Sequence, residues 1–177
     1  EVLHSDSSYS KASLAHILYN EGHYEMALNY YKDAFDDDVP YLDGCTIYLS
    51  LILKNRSPQM VIDEYSWLRT IGCEKEGTLD GILLLALVAT HQFIQAEELV
   101  DNMEFDRSRR SDVGRSVLAI RRNDWSIACE AEQNWSSPDQ FASQLQIMLK
   151  QIGWMEDYAP FEDDFLHSKC RNPKQSQ

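Results

Sequence analysis

The residues best suited to catalysis or metal binding are spread along this chain and are not grouped at functional spacings. The five histidines form no HExxH or other metal-binding pattern, and the chain contains no GxSxG, GxxxxGK[ST] or GxGxxG motif. Acidic pairs such as Glu97-Glu98 and Asp163-Asp164 are adjacent, whereas a general acid and a general base must face each other across a bond. We therefore predict a protein that is not an enzyme and that uses no cofactor and no metal.

The four cysteines, Cys45, Cys73, Cys129 and Cys170, are separated by long and uneven intervals and include no CxxC pair. Because zinc sites and redox motifs need closer pairs, we expect buried free thiols and a cytoplasmic location. The tripeptide Asn-Trp-Ser at 134–136 matches the acceptor sequence for N-glycosylation. The chain opens "EVLHSDSS", without the basic and apolar regions of a signal peptide, so we interpret this match as a coincidence.

The net charge of −13 bears on the kind of partner. Proteins that bind nucleic acid need a surplus of Lys and Arg, and this chain has the opposite surplus. The longest apolar run, "GILLLALVA" at 81–89, is about half the ~18 residues of a membrane span. We therefore expect a water-soluble protein whose partner is a protein with a basic or an amphipathic segment, not a nucleic acid or a membrane. Self-association is a further expectation.

Two segments concentrate groups that could bind a partner. Segment 106–122 holds six of the sixteen basic residues, all of them arginines, whose forked guanidinium groups pair well with carboxylates. It could dock an acidic peptide, or it could be a loop followed by the exposed face of a helix. The acidic-aromatic segment 154–165, "WMEDYAPFEDDF", is typical of docking peptides, although its aromatic side chains could instead fold back onto the preceding helix. The two segments have complementary charge, so one could bind the other within a chain or between chains.

The elements that would position these groups are predicted from a repeated pattern. The stretch "YNEGHYEMALNYYKDAF" places Gly22 where one helix ends and Ala27, Tyr31 and Ala34 on one stripe of a second helix, at i, i+4 and i+7. A small or branched residue recurs about every 34 residues, with an aromatic residue or a proline three positions before it and an apolar helical stretch further upstream. These anchor residues are Ala27, Val61, Ala96 and Ala128.

This pattern resembles the tetratricopeptide repeat (TPR) family. Repeats 2 to 4 are degenerate; Tyr48, for example, replaces a small residue and Glu132 a large apolar one. The resemblance implies an all-α, right-handed α-solenoid of about four helix pairs over residues 1–136. We expect a capping helix at 137–153, and then the acidic-aromatic segment and a polar tail at 154–177. The first repeat carries the resemblance best, through Leu14, Ala15, Leu18, Gly22, Tyr24, Ala27, Tyr31, Ala34 and Pro40.

The resemblance implies a non-catalytic protein–protein interaction module, an adaptor or scaffold in a multi-protein assembly, which holds a peptide or helix of a partner on its repeat surface. Two alternatives are a small acidic TPR chaperone of a bacterial secretion system, suggested by size and acidity, and an RNA-binding helical-repeat protein, suggested by "AEELVDNM" and opposed by the net charge. The acidic-aromatic segment adds Trp154, Phe161 and Phe165 to the candidate partner-binding residues. On the repeats, the family's inner positions correspond to His16, Tyr19, Asn20, Asp43, Thr46, Ser50, Lys54, Leu85, Val88, Val117 and Arg121.

Overall fold

A computed structural model of the protein describes residues 2–37, 42–73, 78–103 and 109–153, together with Leu166 and Cys170. Within these residues every regular element is an α-helix, as the all-α prediction requires. None of these helices is both long and apolar enough to cross a bilayer. In chain order the helices are α1 (Val2–Asn20), α2 (Tyr24–Asp37), α3 (Leu42–Asn55), α4 (Pro58–Thr70), α5 (Thr78–Ala89), α6 (Phe93–Asn102), α7 (Arg109–Arg121), α8 (Ser126–Asn134) and α9 (Pro138–Gln151).

Two compact units divide the chain at a point within α5. In the first unit, Glu1–Leu83, α1 packs against α2, α2 against α3, and α3 against α4. In the second unit, Leu84–Gln177, α6 packs against α7, α7 packs against α8, and α9 packs against both α7 and α8. Helix α9 corresponds to the helix predicted at 137–153, and it contacts both helices of the last pair in its unit.

The same turn joins three of the helix pairs. Gly22, His91 and Asn123 follow α1, α5 and α7, and their φ angles of 83°, 60° and 60° are left-handed. In each turn, the amide of the next residue donates to the carbonyl five positions back, at 2.8 to 3.0 Å. This bond satisfies a carbonyl that the helix end leaves unpaired. The turn predicted at Gly22 is confirmed. His91 occupies the equivalent position of the third repeat, where the pattern predicts another turn, and this turn is confirmed as well; Asn123 supplies a third.

The connection between α3 and α4 is built differently. The Ser-Pro pair at 57–58 predicts a helix start, and the structure confirms it: Ser57 is the N-cap of α4, where its Oγ accepts a hydrogen bond from the Met60 amide at 3.2 Å, and Pro58 is the first helical residue. The Ser-Pro pair at 137–138 predicts a similar start for α9, with a capping box between Ser137 and Gln140. Ser137 is the N-cap of α9, but its side chain makes no capping hydrogen bond, so the capping box is absent.

The predicted anchor residues all lie in the core. Ala27, Val61, Ala96 and Ala128 are completely buried. Their small side chains let paired helices approach closely, and larger apolar side chains fill the space around them. The helical spacing of Leu14, Ala15 and Leu18 predicts one buried face of α1, but 38% of Leu14 is exposed, so this face is narrower than expected. The spacing of apolar residues in α9 also predicts one buried face, and its members are all buried: Phe141, Leu145, Met148, Leu149 and Ile152.

A buried hydrogen bond connects α4 to α5. The Tyr65 hydroxyl donates to a carboxylate oxygen of Asp80. Burial, followed by this hydrogen bond, raises the pKa of Tyr65 above its ordinary value of 10.0. The neutral phenol is therefore the form that the fold stabilises.

The prediction of free thiols was wrong. Cys45 is bonded to Cys73, and Cys129 is bonded to Cys170, so all four cysteines are paired. The first disulfide links α3 to the residue that ends the turn after α4, and the second links α8 to the C-terminal part of the chain. Spacing along the sequence does not reveal which helix ends lie together in the fold, and for this reason the pairing was missed.

Candidate partner-binding surfaces

Three helices of the first unit contribute to an aromatic–basic cluster, which we define as His16, Tyr19, Tyr24 and Lys54. The rings of His16 and Tyr19 are 6.3 Å apart, and those of Tyr19 and Tyr24 are 6.1 Å apart. Lys54 Nζ lies 5.0 Å from the centroid of the Tyr24 ring, a cation–π geometry. His16 and Lys54 are exposed, whereas the two tyrosines are half-buried. The cluster thus contains three predicted site residues, His16, Tyr19 and Lys54, together with Tyr24, which was not among the predicted site residues.

The other exposed or half-buried residues that were predicted to bind a partner are not part of this aromatic–basic cluster. Asn20 is exposed at the end of α1. Thr46 and Ser50 are half-buried on α3, and the Ser50 hydroxyl donates to the Thr46 carbonyl at 2.6 Å, so it is used within its own helix. Arg121, in the second unit, stacks its guanidinium 3.5 Å from the centroid of the Phe93 ring.

Four predicted site residues cannot be placed on a surface. The side chain of Asp43 and all of Trp154, Phe161 and Phe165 lie outside the described residues. Three others, Leu85, Val88 and Val117, are buried, with exposed fractions of 9%, 0% and 0%. Their assignment to a binding wall is corrected, because α5 and α7 bury these side chains in the core.

A second candidate surface is the α6–α8 cleft, a depression of about 530 Å³ within the second unit. Four lining residues, from Arg115 to Arg122, recur at i, i+3, i+4 and i+7, so they lie along one face of α7 and its C-terminal end. The α6 wall of the cleft follows the same rule, at i, i+3 and i+4 from Glu97. Sequence analysis missed this cleft, although these two stripes were visible in the sequence. The lining residues are Glu97, Val100, Asp101, Arg115, Leu118, Ala119, Arg122, Asp124 and Ile127.

Most charged groups of the α6–α8 cleft already have partners. Arg122 Nη2 lies 2.8 Å from Glu97 Oε1. The Asp124 carboxylate accepts hydrogen bonds from the Ser126 hydroxyl at 2.6 Å and from the Ser126 amide at 2.9 Å. The hydroxyl bond, followed by the amide bond, lowers the pKa of Asp124, so this carboxylate stays ionised at the start of α8.

Arg115 is the exception. Its side chain is half-buried, and its Nε is out of contact with solvent and has no hydrogen-bond partner among the described residues. A donor removed from water without an acceptor costs free energy, and a carboxylate can accept two parallel bonds from one guanidinium. The cleft thus places a guanidinium with one unsatisfied donor, Nε, beside the apolar side chains of Val100, Leu118 and Ile127, while Asp101 is exposed on the α6 wall.

Comparisons of the chain with protein-family models, with curated proteins and with solved structures give no match in any of the three. Function is therefore inferred from the geometry of the molecule. Of the two surfaces, the α6–α8 cleft is concave and carries the unsatisfied group, so it has the stronger chemical requirement for a ligand.

Proposed function

We propose that this chain is a non-catalytic protein–protein interaction module, an adaptor or scaffold that holds a peptide or helix of a partner protein. The proposal includes a TPR-like arrangement of its helix pairs into a right-handed α-solenoid. It is supported by the turn shared at Gly22, His91 and Asn123 and by the burial of the small anchor residues. Repeated helix pairs of this kind expose long surfaces that suit extended ligands.

The observation that carries the proposal is Arg115 Nε in the α6–α8 cleft, a buried donor with no hydrogen-bond partner among the described residues. An acidic side chain of the partner would accept hydrogen bonds from Arg115, while apolar side chains of the partner would cover Val100, Leu118 and Ile127. Asp101 on the other wall would attract a basic side chain. The ligand is therefore an amphipathic segment that carries an acidic residue next to its apolar face, and a basic residue at its far side would face Asp101.

A random peptide library displayed on phage tests the proposal directly. The purified, disulfide-bonded chain should enrich peptides that combine apolar residues with at least one acidic residue. A chosen peptide should then bind the chain in fluorescence anisotropy, and Arg115→Ala should weaken that binding about tenfold or more, because a hydrogen bond to a charged group contributes ~1.5–3 kcal/mol.

The matched control is Arg56→Ala. Arg56 is an exposed arginine of the first unit that pairs with Glu25 and does not line the α6–α8 cleft, so this variant makes the same change in net charge without altering the cleft lining. It should leave peptide binding unchanged. Equal loss in both variants, or no enrichment of acidic peptides, would contradict the assigned chemistry. Tight binding of single-stranded RNA at physiological salt would replace the proposal by the RNA-binding alternative.

The predicted cytoplasmic location depended on free thiols, and the two disulfides remove that support. The bacterial secretion chaperone was suggested by size and acidity alone. No contact among the described residues adds to that alternative. A protein-binding module with disulfides is the function that the described surfaces favour.

A further inference from the structure

The two disulfides indicate where the chain folds. Disulfides form and persist in oxidising compartments and are rare in reducing ones. Here both pairs join residues far apart in sequence, with separations of 28 and 41 residues, and no cysteine is left over. Complete pairing over long separations is the pattern of structural disulfides.

A second feature, independent of the cysteines, indicates the same environment. Helix α8 carries Cys129 and ends at Asn134, which opens the tripeptide Asn-Trp-Ser, an acceptor sequence for N-linked glycans. Asn134 is exposed. The middle residue, Trp135, is buried and leaves the helical conformation, and its Nε1 donates to Asp112 at 3.0 Å. The tripeptide is therefore anchored by its central ring, while the acceptor residue lies at the surface.

The chain contains one other acceptor tripeptide, Asn-Arg-Ser at 55–57, and the fold uses its polar groups. Asn55 Nδ2 donates to the Leu51 carbonyl at 3.0 Å. Ser57 Oγ caps α4, and Pro58 follows it directly. A glycan on Asn55 would replace one of the two protons on the nitrogen that bonds to the Leu51 carbonyl, at the end of α3. This second tripeptide therefore provides an internal control.

We propose that Asn134 is a site of N-linked glycosylation, in a chain that acquires its two disulfides in the same oxidising compartment of a secretory pathway. In the modification, Asn134 Nδ2 forms a bond to C1 of an oligosaccharide carried on a lipid diphosphate. The bond from that C1 to the phosphate oxygen breaks, the lipid diphosphate leaves, and the amide gives up one proton. Each disulfide forms when two thiols lose two protons and two electrons, which the disulfide of an oxidised thiol oxidoreductase accepts.

The position of Asn134 keeps the glycan away from the α6–α8 cleft. Ile127, which lines the cleft, lies in the first turn of α8, and Asn134 is the last residue of the same helix. Seven residues of α-helix rise about 10 Å. A glycan at Asn134 therefore extends from the opposite end of α8, and the glycosylated chain retains an open cleft.

The test is expression of the chain behind a cleavable secretion signal in eukaryotic cells, followed by digestion of the whole-cell and secreted protein with a peptide N-glycosidase in ¹⁸O-labelled water. Mass spectrometry should show Asn134 converted to ¹⁸O-labelled aspartate. Asn134→Gln and Ser136→Ala should each remove one glycan from the undigested protein, whereas Asn55→Gln should leave its mobility unchanged. Alkylation before reduction should label none of the four cysteines.

Two results would overturn the proposal. The first is an unlabelled Asn134 in cells that glycosylate a co-expressed reference protein, or a label confined to Asn55. The second is alkylation of the cysteines of the secreted chain before any reductant is added, which would show that they are free thiols. Both readouts use protein from the cell as well as the medium, so retention of a variant inside the cell does not prevent a decision.

Discussion

Gly114 of α7 lies against the Leu84 side chain, and a single methyl group at Gly114 should destabilise the second unit. A Cβ added to Gly114 would lie 2.6 Å from Leu84 Cγ and 2.7 Å from Leu84 Cδ2. Carbon atoms in contact are normally ~3.5–4.0 Å apart. Leu84 is completely buried, so Gly114→Ala requires its side chain or one of the helices to move by about 1 Å.

Two opposing effects determine how much stability Gly114→Ala loses. Overpacking of a core costs ~1–3 kcal/mol, and a displacement of this size belongs to the upper part of that range. Alanine recovers about 1 kcal/mol, because glycine is a poor residue inside a helix. The net loss should be about 1–2 kcal/mol, which lowers the melting temperature of a chain of this length by about 2–8 °C.

Urea and thermal unfolding under non-reducing conditions, followed by far-UV circular dichroism, would measure this loss. Leu84→Ala alone should cost ~2–5 kcal/mol because it leaves a cavity. In the double variant the methyl group of Ala at 114 enters that cavity, so the double variant should be more stable than the sum of the single changes predicts. Gly114→Ala that is as stable as the parent, or that adds independently to Leu84→Ala, would refute the close contact.

Other changes test other parts of the fold. Replacing Cys45 and Cys73 together by serine should lower the free energy of unfolding by about 3–4 kcal/mol, measured by urea denaturation, because the unfolded chain regains the entropy of the open loop. Ala27→Trp should cost ~1–3 kcal/mol or more by overpacking the contact of α1 with α2, and an unchanged melting temperature and helical signal would contradict that contact. The pKa of Tyr65 is raised by burial, so its contribution to stability is complete below pH 10 and is lost as the pH rises above 10. Tyr65→Phe should reduce this alkaline loss of melting temperature, whereas Tyr9→Phe, at an exposed tyrosine, should leave it unchanged.

Local features of the fold could be predicted from the sequence because they depend on single residues and short intervals. Gly22 tolerates a left-handed conformation, and the repeat interval placed His91 at the same kind of turn. Asn123 was missed although asparagine also adopts this conformation readily, because no left-handed turn was assigned to the fourth repeat. The anchor at Ala27 and its equivalents could be found because a helix pair needs a small side chain at its closest approach.

Features that depend on the meeting of distant segments could not be predicted. The bond from Cys129 to Cys170 spans 41 residues and depends on the path of the C-terminal part of the chain. The burial of Val88, by contrast, could have been predicted from the sequence. The run "GILLLALVA" is apolar on all sides of α5, and such a helix has no face to offer as a polar wall.

Core packing and the proposed binding site are coupled through adjacent residues of α7. Successive side chains of a helix point about 100° apart, so Gly114 can face Leu84 while Arg115 lines the α6–α8 cleft. A methyl group added at Gly114 would meet Leu84, and if α7 moves to relieve that contact, the Arg115 guanidinium moves with it. A binding group held on a rigid helix loses less freedom when its ligand arrives than one on a loop. Gly114→Ala should accordingly weaken the peptide binding proposed for the cleft, although residue 114 lines no part of it, and unchanged affinity would show that Arg115 is positioned independently of the core.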